Sequence, residues 1–349
     1  MAVAAHPPVP VDLSPAIGVL LTNIGTPAAP TPAALRPYLA EFLSDPRIVE
    51  LPRWLWLPVL HGVLLNVRPA RSARLYQNIW TEQGSPLLIT LRQQAEGLRR
   101  ELGQRLGDRL SVAIGMRYGH PSIAEGLREL RAAGARRMLI FPLFPQYSAT
   151  TVATTFDAVF DELQAWRWMP ELRTISHYHD HPAYVTALAQ SIRERWAAHG
   201  RSKYLVFSFH GIPRRYAEAG DPYPEECLTT ARLVAGQLGL RDEEWRISFQ
   251  SRFGPVEWLK PYTDDLLVEL GRDGAQGAHV VCPGFSADCL ETLDEIGREA
   301  RHVFETAGGR DFHYIPALND RPEHIAALVE IALSHLQGAI CQPSPNHVT

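Results

Sequence analysis

The feature that most restricts what this chain can fold into is an unbroken alternation of short apolar runs with longer amphipathic stretches. The runs are Ala16 to Thr22, Leu110 to Met116, Arg137 to Phe144, Leu172 to His177, Lys203 to His210, Trp245 to Ser251, Ala278 to Phe285 and Phe312 to Ile315. The clearest of them, Tyr204 to Phe209, is apolar on both faces, as a strand covered by helices on both sides requires. The intervening stretches carry helix signals. Thr31-Pro32 supplies an N-cap and a first-turn proline for a helix through Leu43, and Ser85-Pro86 does the same for one through Leu106. Further helices are predicted over Pro121 to Ala132, Val152 to Trp168, His181 to Ala198, Pro222 to Leu238, Tyr262 to Arg272, Cys289 to Thr306 and Pro322 to Leu336. The fold class is therefore α/β with parallel, doubly wound sheets.

An internal echo divides the chain. LLTNIGTP at 20–27 matches VFSFHGIP at 206–213, MRYG at 116–119 matches SRFG at 251–254, and PLF at 142–144 matches PGF at 283–285, in the same order. Two similar Rossmann-like domains facing one cleft are expected, the first over residues 11–170 and the second over 171–337. Residues 1–10 and 338–349 are expected to be disordered tails. The first half is longer between its matched motifs, which places an insert at roughly 47–95.

Composition excludes several functions. Net charge is −4, and Lys and Arg are spread along the chain, so no nucleic-acid footprint exists. Four cysteines, at 227, 282, 289 and 341, form no C-x-x-C pair, which argues against a disulfide framework, a zinc site or an iron–sulfur cluster and for a reducing, cytoplasmic setting. No strand is followed by G-x-G-x-x-G or a P-loop, and no G-x-S-x-G elbow is present.

Ligands of open α/β sheets sit outside the carboxyl ends of the strands, where the run ending in FHGIP delivers His210. The second candidate is Glu291, in CPGFSADCLETLDEIGRE, one turn beyond a strand end in the same half. An imidazole and a carboxylate facing one cleft suit a divalent metal and proton transfer. Glu291, Glu295 and Glu299 follow at i, i+4 spacing, so Asp288 and Glu295 are candidate relay groups, with a solvated helix face as the alternative. In the other half, Arg117 is a candidate partner for a ligand carboxylate and Tyr147 a platform for a flat ring. Trp258 is either a further aromatic wall or core. PRWLWLPVLHGVLLNV at 52–67 is apolar but broken by Pro58 and Gly62, too short to span a bilayer. It is read as a lip that touches a membrane surface, against the alternative of a core helix.

LLTNIGTP, GMRYGHP, FPQYSATT, FSFHGIP, GDPYPEEC, SRFGPVEWLKP and PGFSADCLETLDEI, in this order, resemble the ferrochelatase family over roughly Ile17 to Leu336. The resemblance implies insertion of ferrous iron into protoporphyrin IX, with His210 and Glu291 as the essential pair at the metal. It also implies a porphyrin pocket lined by Ile24, Arg117, Tyr118 and Tyr147. Porphyrin and iron are then substrates, with no prosthetic group and no iron–sulfur cluster. Coproporphyrin with iron, sirohydrochlorin with cobalt, or noncatalytic tetrapyrrole binding are the alternatives. Cys289 stands where some relatives carry a histidine, which puts a metal relay through that position in doubt.

Overall fold

A computed structural model describes residues 16–274 and 277–336; the expected tails and Cys341 lie outside the described residues. Strands β1 (Ala16–Gly25), β2 (Leu110–Tyr118), β3 (Ala135–Pro142) and β4 (Glu171–Thr174) form one parallel sheet in the order β2-β1-β3-β4. Strands β5 (Tyr204–His210), β6 (Trp245–Gln250), β7 (Gly277–Val281) and β8 (Asp311–Ile315) repeat it as β6-β5-β7-β8. The echo in the sequence is thus a repeat of topology. β4 pairs with β3, so the first sheet runs past residue 170.

The helices follow the local signals. α1 (Pro32–Ser44) starts where the Thr31 hydroxyl accepts from Ala34 N–H. α5 (Ile123–Ala132) opens on a reciprocal Ser122/Glu125 capping box, and α9 (Tyr223–Leu238) closes on Gly239 at φ 66°. α4 (Pro86–Leu106) departs from expectation: Ser85 leaves the helix end uncapped, its hydroxyl accepting instead from Thr26 Oγ1 at the end of the first strand.

Two predicted long helices contain wider-wound π segments. One, Ala149–Ala153, precedes α6 (Thr154–Leu163), which stops short of Trp168; the other, Glu291–Ala300, precedes α11 (Arg301–Thr306). Both follow the third strand of their sheet.

α7 (Pro182–His199) and α12 (Pro322–Leu336) each follow the last strand of a sheet. α12 packs on both α7 and α4, so the helices of the second half close on the first. One apolar core consequently runs through both halves, from Val19 and Leu139 to Phe207 and Leu328. Burying a Leu or Phe fully is worth about 1.5–3 kcal/mol, so this shared core resists separation of the halves.

The insert forms α2 (Arg53–Val59), a π turn (Leu60–Leu64) and α3 (Leu65–Ile79). Pro58 and Gly62 do not break it. Both lie on the exposed face, where a carbonyl that loses its N–H partner still meets solvent, and the π turn absorbs the irregularity. The segment is amphipathic. Trp56, Leu60 and Leu65 are buried against α1, with Trp56 Nε1–H donating to Leu43 O at 2.7 Å, while Trp54, Leu55, Val59, Val63 and Val67 face outward.

Candidate active site

Both sheets change direction of winding beside their first strand, and in each the crevice opens between the first and third strand ends. Ile24 is the penultimate residue of β1 and His210 the last of β5, at places the sequence echo aligns. The next residue is glycine in both cases for a steric reason. A Cβ on Gly25, at φ 121°, would stand 1.9 Å from Tyr118 O, and one on Gly211 would stand 2.9 Å from Gln250 O.

His210 is half-buried, with the rings of Trp258 and Phe285 each 6.5 Å away. Its Nδ1 lies 2.6 Å from Gly211 O. A carbonyl only accepts, so Nδ1 carries a proton, and in the neutral ring the lone pair is on Nε2. Trp258 is fixed as a wall beside this imidazole, its Nε1–H donating to Phe253 O at 2.8 Å.

Glu291 opens the second π segment and is tied to His210 through β6. Gln250 pairs with His210 in the strand register and donates from Nε2 to Glu291 O at 2.8 Å, while its Oε1 accepts from Ser208 at 2.8 Å. The Glu291 carboxylate approaches Tyr38, Tyr76 and Cys289: burial first, and then the Glu291 charge, pushes Tyr38 and Cys289 up, and burial with the charges of Tyr38 and Glu291 does so for Tyr76. Tyr38 Oη in turn donates to Gly25 O at 3.3 Å, so the ends of the two halves meet here.

One turn further on, Glu295 accepts from Ser251 N–H at 2.7 Å and from the Ser251 hydroxyl at 2.6 Å. Burial outweighs these two bonds, and with the Glu291 charge it raises the Glu295 carboxyl to about 7. Asp288 is used differently. It accepts from Tyr314 Oη at 2.5 Å, from Thr292 at 2.9 Å and from Asn319 Nδ2 at 2.8 Å, which commits it to joining the π segment to the loop after β8.

The first half brings fewer free polar groups to the crevice than the sequence reading assigned to it. Arg117 pairs with the buried Asp45, donates to Thr154 at 2.6 Å and lies 4.5 Å over the Tyr118 ring, so its guanidinium is already engaged. Tyr118 is fully buried, with its hydroxyl on Asp45 at 2.9 Å, and serves this network from inside the half. Tyr147 is half-buried. Its loop is clasped by the GDPYPEEC motif: Glu226 accepts from Tyr147 N–H at 2.7 Å, and Asp221 accepts from Ala149 N–H at 2.8 Å and Ser148 Oγ at 2.9 Å.

The sequence reading did not single out Tyr38, Tyr76, Asp45 or Gln250. Gln250 carried a local signal, a polar residue closing an apolar run as His210 does; the other three arrive from the insert and its flanks and carried none.

α3 packs against the acidic π segment, with Asn78 donating to Asp294 at 2.9 Å, so the insert roofs the Glu291 side of the crevice. At the mouth the Arg68 guanidinium lies 4.3 Å from the Phe253 ring of the other half. One of its terminal nitrogens is buried without a hydrogen-bond partner among the described residues.

Two doubly wound halves closing on one crevice define a two-domain α/β architecture with its ligand site between the halves. Solved structures of the same architecture include SirB from Bacillus subtilis with Fe3+, at a TM-score of 0.56 and 12% identity, covering 93% of this chain and 96% of that one. The sirohydrochlorin chelatase SirB of Bacillus subtilis subspecies spizizenii with cobalt gives 0.52 and 10%, covering 90% and 92%. At such identities the likeness is one of fold. Sequence goes further. The ferrochelatase family model matches residues 16–336. Ferrochelatase of Thioalkalivibrio sulfidiphilus is 56% identical over 322 residues, 92% of this chain and 87% of the relative, and that of Nitrosococcus oceani is 54% identical over the same shares. The chain belongs to the ferrochelatase family, lyases that insert ferrous iron into protoporphyrin IX to form protohaem.

Proposed function

We propose that iron insertion runs on His210 and Glu291, with the porphyrin seated in the crevice between Ile24 and His210. The observation that carries this reading is their equivalence: the same strand end in two facing halves presents an apolar side chain on one side and a free imidazole lone pair on the other. Iron and porphyrin are both substrates. Two pyrrole protons must leave and the macrocycle must bend so that its nitrogens reach the metal. Tyr147 and Trp258 supply ring contacts, and binding along the faces offsets a distortion of roughly 1–5 kcal/mol. His210 Nε2 accepts a proton or ligates the iron; Glu291 supplies the compensating charge. Glu295, near half-protonation at neutral pH, passes protons along the acidic face of the π segment. Asp288 is left out of this relay, because its hydrogen bonds are taken. Since Arg117 is engaged with Asp45, the desolvated Arg68 at the mouth is the cation for an acidic substituent of the ring.

The lip faces a membrane surface in this reading. Leu55, Val59, Val63 and Val67 recur at four-residue spacing, exposed, and Phe253 and Val256 of the other half are exposed as well. In this reading the attachment is peripheral and on the cytoplasmic side; no helix among the described residues is long and apolar enough to cross a membrane. No prosthetic group is required in this reading: Cys227, Cys282 and Cys289 are buried and lack the close spacing of cluster ligands.

His210→Ala, Glu291→Gln and the double variant, assayed anaerobically with ferrous iron and protoporphyrin IX, test the pair. Each single variant is expected to lose insertion about as completely as the double, because the two act as a unit. Near-normal turnover in either, with an unchanged Tm, overturns the assignment.

A further inference from the structure

At the amino-terminal ends of β7 and β8, the end of the sheet opposite the crevice, lies a side-chain cluster that iron insertion does not use. The parallel register sets His279 opposite His313 and Gly277 opposite Asp311. Alternation along the strands therefore sends His279, His313 and Asp311 to one face of the sheet. A ligating atom of each lies within 4.8 Å of the others. The His313 ring is 5.0 Å from that of His279 and 4.8 Å from that of His199, the last residue of α7.

His279 is the informative member. It is fully buried at 0% exposure, and neither ring nitrogen has a hydrogen-bond partner among the described residues. Native interiors seldom leave such groups unsatisfied, and valines fill the next two positions of the same strand, so an apolar residue was available to this site. Desolvation, helped by the neighbouring His313, lowers the imidazole to about 4, so it is neutral and carries a lone pair at physiological pH. Asp311 is 55% exposed and holds His313 Nε2 at 2.8 Å, which gives the cluster access to solvent.

We propose that His279, His313 and Asp311 form a second, noncatalytic site for a divalent first-row transition-metal ion. Two imidazoles and a carboxylate are a donor set for zinc or ferrous iron, with His199 or water completing the shell. Metal bonds of about 2.0–2.2 Å require the three side chains to draw together, and the exposed Asp311 and partly exposed His313 have room to do so. Bound there, the ion clips β7 and β8 to the end of α7. The cysteine spacing bears only on thiolate sites and leaves this one open.

Full-length protein, stripped with chelator, is titrated with Zn2+ against a chromophoric competitor and melted with and without Zn2+. Wild type and His210→Ala are compared with His279→Leu and Asp311→Asn. His279→Leu is expected to bind one equivalent fewer, Asp311→Asn to bind that equivalent at least tenfold more weakly, and zinc to raise the Tm of wild type and His210→Ala but not of His279→Leu. Iron insertion by His279→Leu should match wild type. Equal stoichiometry and equal zinc-induced shifts in His279→Leu overturn the proposal, leaving a ring satisfied by water. Should His279→Leu fail to fold, unchanged zinc affinity in Asp311→Asn overturns it alone.

Discussion

Asp45 in the first half and Glu295 in the second are both carboxylates drawn out of water beside the end of a second strand, and they end with opposite proton affinities. Burial works upward on each. For Asp45, bonds from Thr154 and Arg47 N–H, the Arg117 charge and the Tyr118 hydroxyl overcome it and hold the group below its ordinary 3.8. Glu295 has Ser251 as its donor and Glu291 as a like-charged neighbour, so burial wins and the group rises to about 7. The difference teaches that one topology can make an acid structural or titratable by the donors it is given. The other equivalent positions divide in the same way: Ile24 answers His210, and the uncharged π segment at Ala149–Ala153 answers the acidic one at Glu291–Ala300. On the proposed function, the second half holds the chemistry and the first holds the shape.

The largest test of that division is at the paired strand ends. His210→Ala is expected to lower kcat for iron insertion by about 10²–10⁴, the usual worth of a positioned base. Ile24→Ala, at the equivalent place, should cost less than tenfold and act mainly on porphyrin KM. Comparable losses of kcat in both would erase the distinction.

Stability should respond the other way round. Asp45→Ala leaves Arg117 uncompensated in a buried network and is expected to cost about 3–5 kcal/mol in denaturant unfolding, whereas Glu291→Gln should leave the midpoint nearly unchanged. An Asp45→Ala protein as stable as wild type would show that Arg117 is free to serve a ligand after all.

The pH dependence carries the same contrast with opposite signs. Glu295 is more basic folded than unfolded, so its contribution to stability is fully present below its ordinary 4.5 and is lost as pH rises towards about 7. Glu295→Gln should flatten the Tm profile across that window and shift the lower limb of the kcat profile. For Asp45, more acidic when folded, stability is present above 3.8 and is lost as pH falls below it. A Glu295→Gln profile that overlays wild type would place this acid outside the proton path.

The smallest effect on stability is expected at the lip. Trp54, Val59 and Val63, replaced together by Ser, are exposed and should each change stability by no more than about 0.5 kcal/mol. The triple variant should bind anionic vesicles more weakly and raise the apparent porphyrin KM a few-fold. Leu60, fully buried, belongs to the core, and Leu60→Ser should unfold the insert instead. Wild-type vesicle binding by the triple variant would remove the membrane role.

Periodicity determined the parallel sheets, the internal echo revealed that two halves share one plan, and strand-end position picked out His210, because these are local patterns imposed by backbone geometry. The chain-order signals also located the helices to within a few residues. What the sequence could not show was which polar side chains would be consumed. Arg117 and Asp288 look as free as Glu291 in a line of letters, and their engagement depends on Asp45, Tyr314 and Asn319, which are distant in sequence and near only after folding. Only the tertiary structure paired Gln250 with Glu291, set Tyr38 and Tyr76 beside that carboxylate, and divided the insert into a buried and an exposed face. The physical reason is that a strand or helix is specified by its own residues. The protonation and availability of a side chain are set by burial and by donors that other parts of the chain bring to it.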